Sequence, residues 1–334
     1  MFVDILKTPH TTPLPAVRAQ NPGMSLTDCG CGDSFESYLT SRRLSQEQER
    51  WSEMTQDLVR AYYATFGENE WQRLTWPAGA IEFAVTTHAL ERHLPLAGRV
   101  LDIGGGPGRY SIWLAERGYR VVLADLAPNL LELARDRIAE ASVQAQIEDV
   151  VPCDVCDLSR FEDRSFDAVL CLGPFYHLTD PADREQAVYE LLRVLKPAGP
   201  MFVAFIPVYT FLRRTLNHED ERHHLAQPEF MARLMNESIF LNDVPGRFTA
   251  GYGVRPGEVA PFMERHGFQT LELLADTGFA TDQAQELQEL AASDPESYEM
   301  VMELILDTAS DPSLLGSSIH LLYVGRKSAE APGS

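Results

Sequence analysis

Apolar residues change their period along this chain. Trp51, Met54, Leu58 and Tyr62 recur every three or four positions, which sets them on one face of a helix spanning about 45–66. A second helical pattern runs from Pro77 to Leu94 and stops at Pro95. From Arg99 the chain alternates. RVLDI is a short apolar run, GRYSIWLAERG a helix closed by Gly118, and RVVLADL a second strand. Leu130 to Ala139, introduced by Pro128, is a helix, IEDVVPCDV a third strand, and FDAVLCLG a fourth. Ala182 to Leu195 is a helix ended by Pro197, and PMFVAFIP a fifth strand. Strands alternating with helices predict βαβ units and a largely parallel sheet covered on both faces.

The alternation breaks after Pro207. About 45 residues precede a helix at Glu258–His266 and a sixth strand, FQTLELL. A helical stretch over about 282–306 precedes a last strand, SIHLLYVGR. Both late insertions carry apolar residues, which suits a lid better than a disordered loop. The expected organisation is a flexible arm over 1–44, a helical cap over 45–95 and an α/β domain over 96–327. Insertions fall at 208–253 and 279–316, and 328–334 forms a disordered tail. The first insertion holds Phe211, Phe230, Met231, Leu234, Met235, Phe240 and Leu241. Its composition predicts an adaptable apolar wall facing a substrate, or a surface packed on a second subunit.

The strongest chemical signal is Val100-Leu101-Asp102-Ile103-Gly104-Gly105-Gly106-Pro107-Gly108. A strand ends, glycines turn the chain, and a helix begins, which suits nucleotide binding at the carboxyl end of a parallel strand. A dinucleotide fingerprint needs Gly-x-Gly-x-x-Gly, but the third position is Arg109. Asp102, two residues before Gly104, would repel a pyrophosphate and suit a ligand bearing a cationic amino group. The second strand ends in Asp125, an acceptor for both hydroxyls of a ribose. The third ends in Asp154-Val155, where the carboxylate can take an adenine amino group and a backbone N–H a ring nitrogen. Three acids at three successive strand ends, beside the glycine loop, are far more specific than any one of them.

These residues resemble the class I S-adenosylmethionine-dependent methyltransferases from about Arg99 to Phe205. The Ser165–Val169 strand and the Leu195-Lys196-Pro197 turn share in the resemblance. The segments Glu68–Leu74 and Gly173–Leu178 are similar to bacterial small-molecule enzymes of that family. The resemblance implies a Rossmann-like, seven-stranded, mostly parallel sheet in the order 3-2-1-4-5-7-6, with strand seven antiparallel. It implies S-adenosylmethionine as cofactor, with Gly104 and Gly106 against its methionine part, Gly105 also in the cofactor site, Asp125 on the ribose and Asp154 on the adenine. Leu126, Val155 and Leu172 would complete the cofactor site, with Tyr62 and Arg73 from a cap lying over it. Ala198-Gly199 replaces a common double glycine, a change expected to matter little.

His177, after the fourth strand, lies where a transferred methyl should point and could take a proton near neutral pH. Tyr176 beside it could orient the acceptor. Arg73 could pair with a carboxylate of the cofactor, whereas Tyr63 and Trp71 fit the core of the cap. Cys29, Cys31, Cys153 and Cys156 form two close pairs. Cys153 and Cys156 flank Asp154, where a metal would compete with the cofactor, so no metal is expected. The run HEDERHH, with His218, His223 and His224, reads as a solvated lid helix.

The chain has 334 residues and a formal net charge of −21. That charge disfavours nucleic acid and anionic membranes as partners. The start lacks a secretory pattern, no segment approaches a bilayer span, and five cysteines suit a reducing compartment, so the expected location is cytoplasmic. The expected function is methyl transfer to a small, partly hydrophobic or aromatic molecule, in specialised metabolism. Alternatives are a protein of this fold using S-adenosylmethionine for another reaction, or a nicotinamide oxidoreductase, which Asp102 and Arg109 disfavour. A homodimer is compatible with the apolar insertions.

Overall fold

The computed structural model describes residues 54–328. The arm, Cys29, Cys31, Trp51 and the 329–334 part of the tail lie outside the described residues. Helices α1 (54–66), α2 (Glu68–Arg73) and α3 (Pro77–His93) precede the sheet. Then follow β1 (Arg99–Ile103), α4 (Arg109–Glu116), β2 (Arg120–Asp125), α5 (Pro128–Glu140), β3 (Ile147–Pro152), β4 (Ala168–Cys171), α6 (Pro181–Val194) and β5 (Pro200–Pro207). Proline occupies the first turn of α3, α5 and α6, where its missing N–H costs nothing. Asp180 caps α6 by accepting the Ala182 N–H.

β1 to β5 are parallel, in the order β3-β2-β1-β4-β5. The chain then adds β8 (Phe268–Ala275) and β9 (Leu321–Lys327). β9 inserts antiparallel between β5 and β8, with Met201 opposite Gly325 and Leu273 opposite Tyr323. Counting β8 and β9 as the sixth and seventh core strands, this is the expected order 3-2-1-4-5-7-6 with strand seven antiparallel. Alternate residues of the strands enter opposite cores, as a doubly covered sheet requires. Leu101, Ile103, Val122 and Ala124 pack with α6 and α9 (Pro256–Arg265). Val100, Val121 and Leu123 pack with α3, α4 and α5.

The first insertion holds more regular structure than its pattern announces. It contains α7 (Val208–Asn217), a 3-10 stretch (Glu219–Ala226), α8 (Pro228–Ala232), and a hairpin of β6 (Ile239–Leu241) and β7 (Ala250–Val254). β7 pairs parallel with the last two residues of β5, so that strand forks between β9 and the hairpin. The second insertion folds as α10 (Ala284–Ser293), α11 (Pro295–Thr308) and α12 (Pro312–Leu315). Asp294-Pro295 breaks the expected single helix, Asp294 capping α11. α10 and α11 pack on α3.

Two smaller expectations are corrected. Ala198 has φ 61, the left-handed region that glycine enters freely. Replacing glycine there therefore costs about 1–2 kcal/mol rather than nothing. The HEDERHH segment is not simply solvated. Glu221 is fully buried and paired to Arg214 at 2.8 Å, and His224 is buried with Nε2 3.1 Å from the Asn242 side-chain oxygen. Among the described residues no helix is long and apolar enough to cross a membrane.

Candidate functional site

The carboxyl ends of β1, β2 and β4, the turn after β3 and the cap helices α1 and α2 surround one solvent-open cavity. At its floor the chain leaves β1 through Gly104 and Gly106, with φ of 74° and 53°. Both Gly104 and Gly105 donate their N–H to the carbonyl of Ala124 at the end of β2. A Cβ on Gly106 would meet nothing nearer than Glu70 Cγ and Leu130 Cδ1 at 3.8 Å. The loop is therefore an open cradle at Gly106. Gly104 differs: its Cβ would strike the Pro174 ring at 2.2 Å, so that glycine is required by the fold.

The three strand-end acids converge here. Asp102 is buried beneath the loop and accepts from the Ser111 hydroxyl at 2.7 Å. Burial raises its carboxyl to about 6, against the lowering effect of Ser111. Asp125 accepts the N–H of Gly106 on one oxygen and that of Ala127 on the other, both at 2.8 Å. Burial again dominates those bonds and raises its carboxyl to about 6. Each oxygen keeps a further lone pair for a ligand. Asp154 accepts the N–H of Cys156 at 2.9 Å, and Val155 beside it is buried. Burial pushes the Cys153 thiol up to about 11 and the Cys156 thiol higher still, so both remain protonated among backbone carbonyls.

Asp102, Gly104, Gly105, Gly106, Asp125, Leu126, Asp154, Val155, Leu172, Arg73, Tyr176 and His177 all line this cavity. Tyr62 does not. It stacks on Phe66 at 5.1 Å, and its neighbour Tyr63 faces the cavity instead. Successive residues on a helix point about 100° apart, so only one of the pair can face inward. Arg73 reaches the cavity but already pairs with Glu70 at 3.0 Å and Glu82 at 2.7 Å. Arg109 also lines the cavity and makes no ion pair among the described residues. Its guanidinium lies over the Trp71 ring at 3.9 Å and donates to the Trp71 carbonyl, and its buried Nε has no partner. α2 thus sits on the glycine loop through Glu70 and Trp71.

The acceptor wall expected from the first insertion is not in the cavity. Phe211, Phe230, Leu234 and Phe240 pack with one another, with Ile206 and Val208, and against the cavity-lining Tyr176, in a small core behind the cavity wall. Gln56, Val59, Arg60 and Tyr63 of α1 form that side of the cavity instead. The insertion acts through His177. The carbonyl of Ala250 lies 3.1 Å from His177 Nδ1, and the Phe248 ring stacks on the imidazole at 5.0 Å. A carbonyl can only accept, so Nδ1 carries the hydrogen. Burial lowers the imidazole to about 4, outweighing the opposing effect of Ala250, so the ring is neutral and Nε2 holds a lone pair. The Tyr63 hydroxyl donates to that lone pair at 3.0 Å. Tyr176 packs against His177 with ring centroids 4.9 Å apart.

Behind Arg73 lies a buried charge network. His320 Nδ1 stands 3.1 Å from Asp276 and 3.4 Å from Glu82, tying α3 to the ends of β8 and β9. Burial favours the neutral ring, but Glu82 and Asp276 outweigh it and raise the imidazole to about 9. Glu82 is held well below the usual carboxylate range by Arg73 and His320, despite its burial. The segments concerned lie far apart in sequence, so no spacing signalled this network.

Comparison with known proteins identifies the domain and its fold. Residues 100–199 match the family model described as a methyltransferase domain. The chain is 37% identical over 145 residues to a ubiquinone biosynthesis O-methyltransferase of Xanthomonas oryzae pv. oryzae, covering 42% of this chain and 54% of that protein. It is 36% identical over 113 residues to the methyltransferase GfsG of Streptomyces halstedii, covering 33% and 38%. It thus spans about half the length, or less, of these two curated relatives. A SAM-dependent methyltransferase from Methanosarcina mazei superposes with a TM-score of 0.51 at 18% identity, covering 72% of this chain and 98% of that one. At that identity the likeness shows the fold. The strand order and the domain match together make residues 100–199 a methyltransferase domain, set in a sheet of the class I S-adenosylmethionine-dependent methyltransferase fold.

Proposed function

We propose that this cavity binds S-adenosylmethionine and that the protein transfers its methyl group to a small, partly hydrophobic or aromatic acceptor. The observation that carries the reading is the convergence of Asp102, Asp125, Asp154 and the positive-φ glycines on one cavity that also contains His177. The residues fit the cofactor's chemistry. Asp125 holds the ribose hydroxyls, Asp154 and the Val155 N–H read the adenine, and Leu126 and Leu172 flank it. Asp102 and Glu70 supply negative charge for the amino group. Arg109, which makes no ion pair among the described residues, receives the carboxylate, because Arg73 is committed to Glu70 and Glu82.

When bound, S-adenosylmethionine supplies an electrophilic methyl on a sulfonium, whose sulfur leaves with the electrons of the broken C–S bond. The protein's part is to align the acceptor, exclude water and take up the acceptor's proton. His177 Nε2 is the acceptor of that proton. Tyr176 orients the acceptor, and the cap covers the cleft. The chemistry belongs to cytoplasmic specialised metabolism, and the acidic chain disfavours nucleic acid as acceptor. A homodimer is compatible with this arrangement. Mass spectrometry tests the activity: incubation with S-adenosylmethionine and a panel of small aromatic acceptors should yield S-adenosylhomocysteine and an acceptor heavier by one methylene in equal amounts. S-adenosylhomocysteine formed without a methylated partner would contradict methyl transfer.

A further inference from the structure

We propose that Tyr63 holds the acceptor's place, its phenol occupying the position on His177 that a hydroxyl of an aromatic acceptor takes when it binds. The inference rests on the reading of the cavity as a methyl-transfer site, and it names the chemistry of the acceptor. Three features of the imidazole carry it. Its Nδ1 is fixed by the Ala250 carbonyl, so Nε2 is left to face the cavity as an acceptor. Nε2 is occupied by a group from the cap, the Tyr63 hydroxyl at 3.0 Å. The imidazole is enclosed by flat apolar faces, with Phe248 stacked on it, Tyr63 edge-on at 5.5 Å and Tyr176 at 4.9 Å.

Such a place selects its occupant. A lone pair on a neutral ring repels a carboxylate or phenolate. The imidazole itself bonds to no carboxylate among the described residues, its two nitrogens being taken by Tyr63 and the Ala250 carbonyl, so nothing joined to it holds an ammonium. It rewards a neutral O–H donor, and aromatic walls reward a flat ring carrying it. A phenol already satisfies every requirement in Tyr63. Tyr63 can also leave. It is only half-buried, on a helix whose buried described residues are Thr55 and Val59. Its backbone is tethered through the Asn129 side chain, which donates to its carbonyl at 2.9 Å, so a side-chain rotation clears Nε2 without undocking the helix. The resting contact keeps water from His177 until an acceptor competes for it.

The test uses the full chain, with phenol and anisole as probes, which share a shape and differ in the O–H. Titrations are read by calorimetry and by the ring nitrogens of ¹⁵N-histidine-labelled protein, with and without S-adenosylhomocysteine. Phenol should bind and shift the His177 Nε2 signal, and anisole should bind more weakly and leave it unmoved. Tyr63→Phe keeps the ring and removes the competing donor, so phenol should bind about fivefold tighter, as loss of one competing hydrogen bond of about 1 kcal/mol implies. Anisole, which gains no hydrogen bond at Nε2, should stay weaker than phenol in the variant. Equal binding of phenol and anisole, an unmoved Nε2 signal, or aniline binding as tightly as phenol would each overturn the proposal. The labelled wild-type protein answers even if the variant folds poorly. Failure of S-adenosylhomocysteine to bind would instead count against the cofactor reading, while the phenol comparison in its absence still decides the role of Tyr63.

Discussion

Asp125→Ala separates a cofactor ligand from a mere loop tether. In the free protein the carboxylate satisfies two backbone donors, Gly106 and Ala127, at 2.8 Å each. Removing it strands both. A buried donor left without a partner costs about 1–3 kcal/mol, and water entering from the open cavity keeps these two near the low end. The variant should therefore melt several degrees lower yet still fold. The effect on the cofactor is separate. Hydrogen bonds from two ribose hydroxyls to a carboxylate contribute about 1.5–3 kcal/mol, so the Kd for S-adenosylhomocysteine should rise roughly ten- to a hundredfold. Asp125→Asn refines the test. Its amide oxygen can keep one backbone N–H, but its amide nitrogen must oppose the other, so its affinity should fall between those of the wild type and Asp125→Ala. Calorimetry beside thermal melts gives both numbers. A folded Asp125→Ala protein that melts lower but binds with unchanged Kd would refute the ribose assignment and leave Asp125 as the loop's anchor.

Other outcomes follow from the same geometry. Asp102 and Asp125 are raised to about 6, and binding needs them ionised, so cofactor affinity should fall as pH drops through about 6 with protons released on binding there; constant affinity from pH 8 to 5 would contradict it. His320 is raised from 6.5 to about 9, so its stabilisation should be complete below pH 6.5 and vanish as pH rises to about 9. Melting temperatures should decline over that window, and His320→Gln should flatten the decline; an unchanged slope in the variant would remove the network from the account. Gly106→Ala places a methyl in the open cradle and should weaken the cofactor more than tenfold in a folded protein, whereas Gly104→Ala should chiefly lower the melting temperature through its clash with Pro174. Equal affinity losses with equal stability would erase that distinction.

The placement of the acids at strand ends was legible because each element there is local: a strand, a glycine turn and one acid. Asp102, Asp125 and Asp154 needed only the rule that ligands meet the carboxyl ends of parallel strands. The cap was less so. α2 is six residues long and buries none of them, so it leaves no apolar period to read. The pattern at Tyr62-Tyr63 could not say which ring faces inward, since only the docking of α1 decides. The insertion's many phenylalanines and methionines signalled burial, but sequence cannot tell a wall around a ligand from a small core of its own. Its contribution to the site is a backbone carbonyl at Ala250, which no side-chain pattern can reveal. Arg109 was noticed for the glycine it replaced, while the role proposed for it rests on Arg73 being held by two acids.

The central claim is that the cavity over Gly104–Gly106 is a site for S-adenosylmethionine. Calorimetric titration of the full chain at pH 7.5 with S-adenosylhomocysteine, beside an identical titration with NAD, tests it most directly. The account predicts one saturable site per chain for S-adenosylhomocysteine, weakened by Asp125→Ala, and no competing site for NAD. No saturable binding of S-adenosylhomocysteine by the folded protein, or tighter binding of NAD in its place, would contradict it.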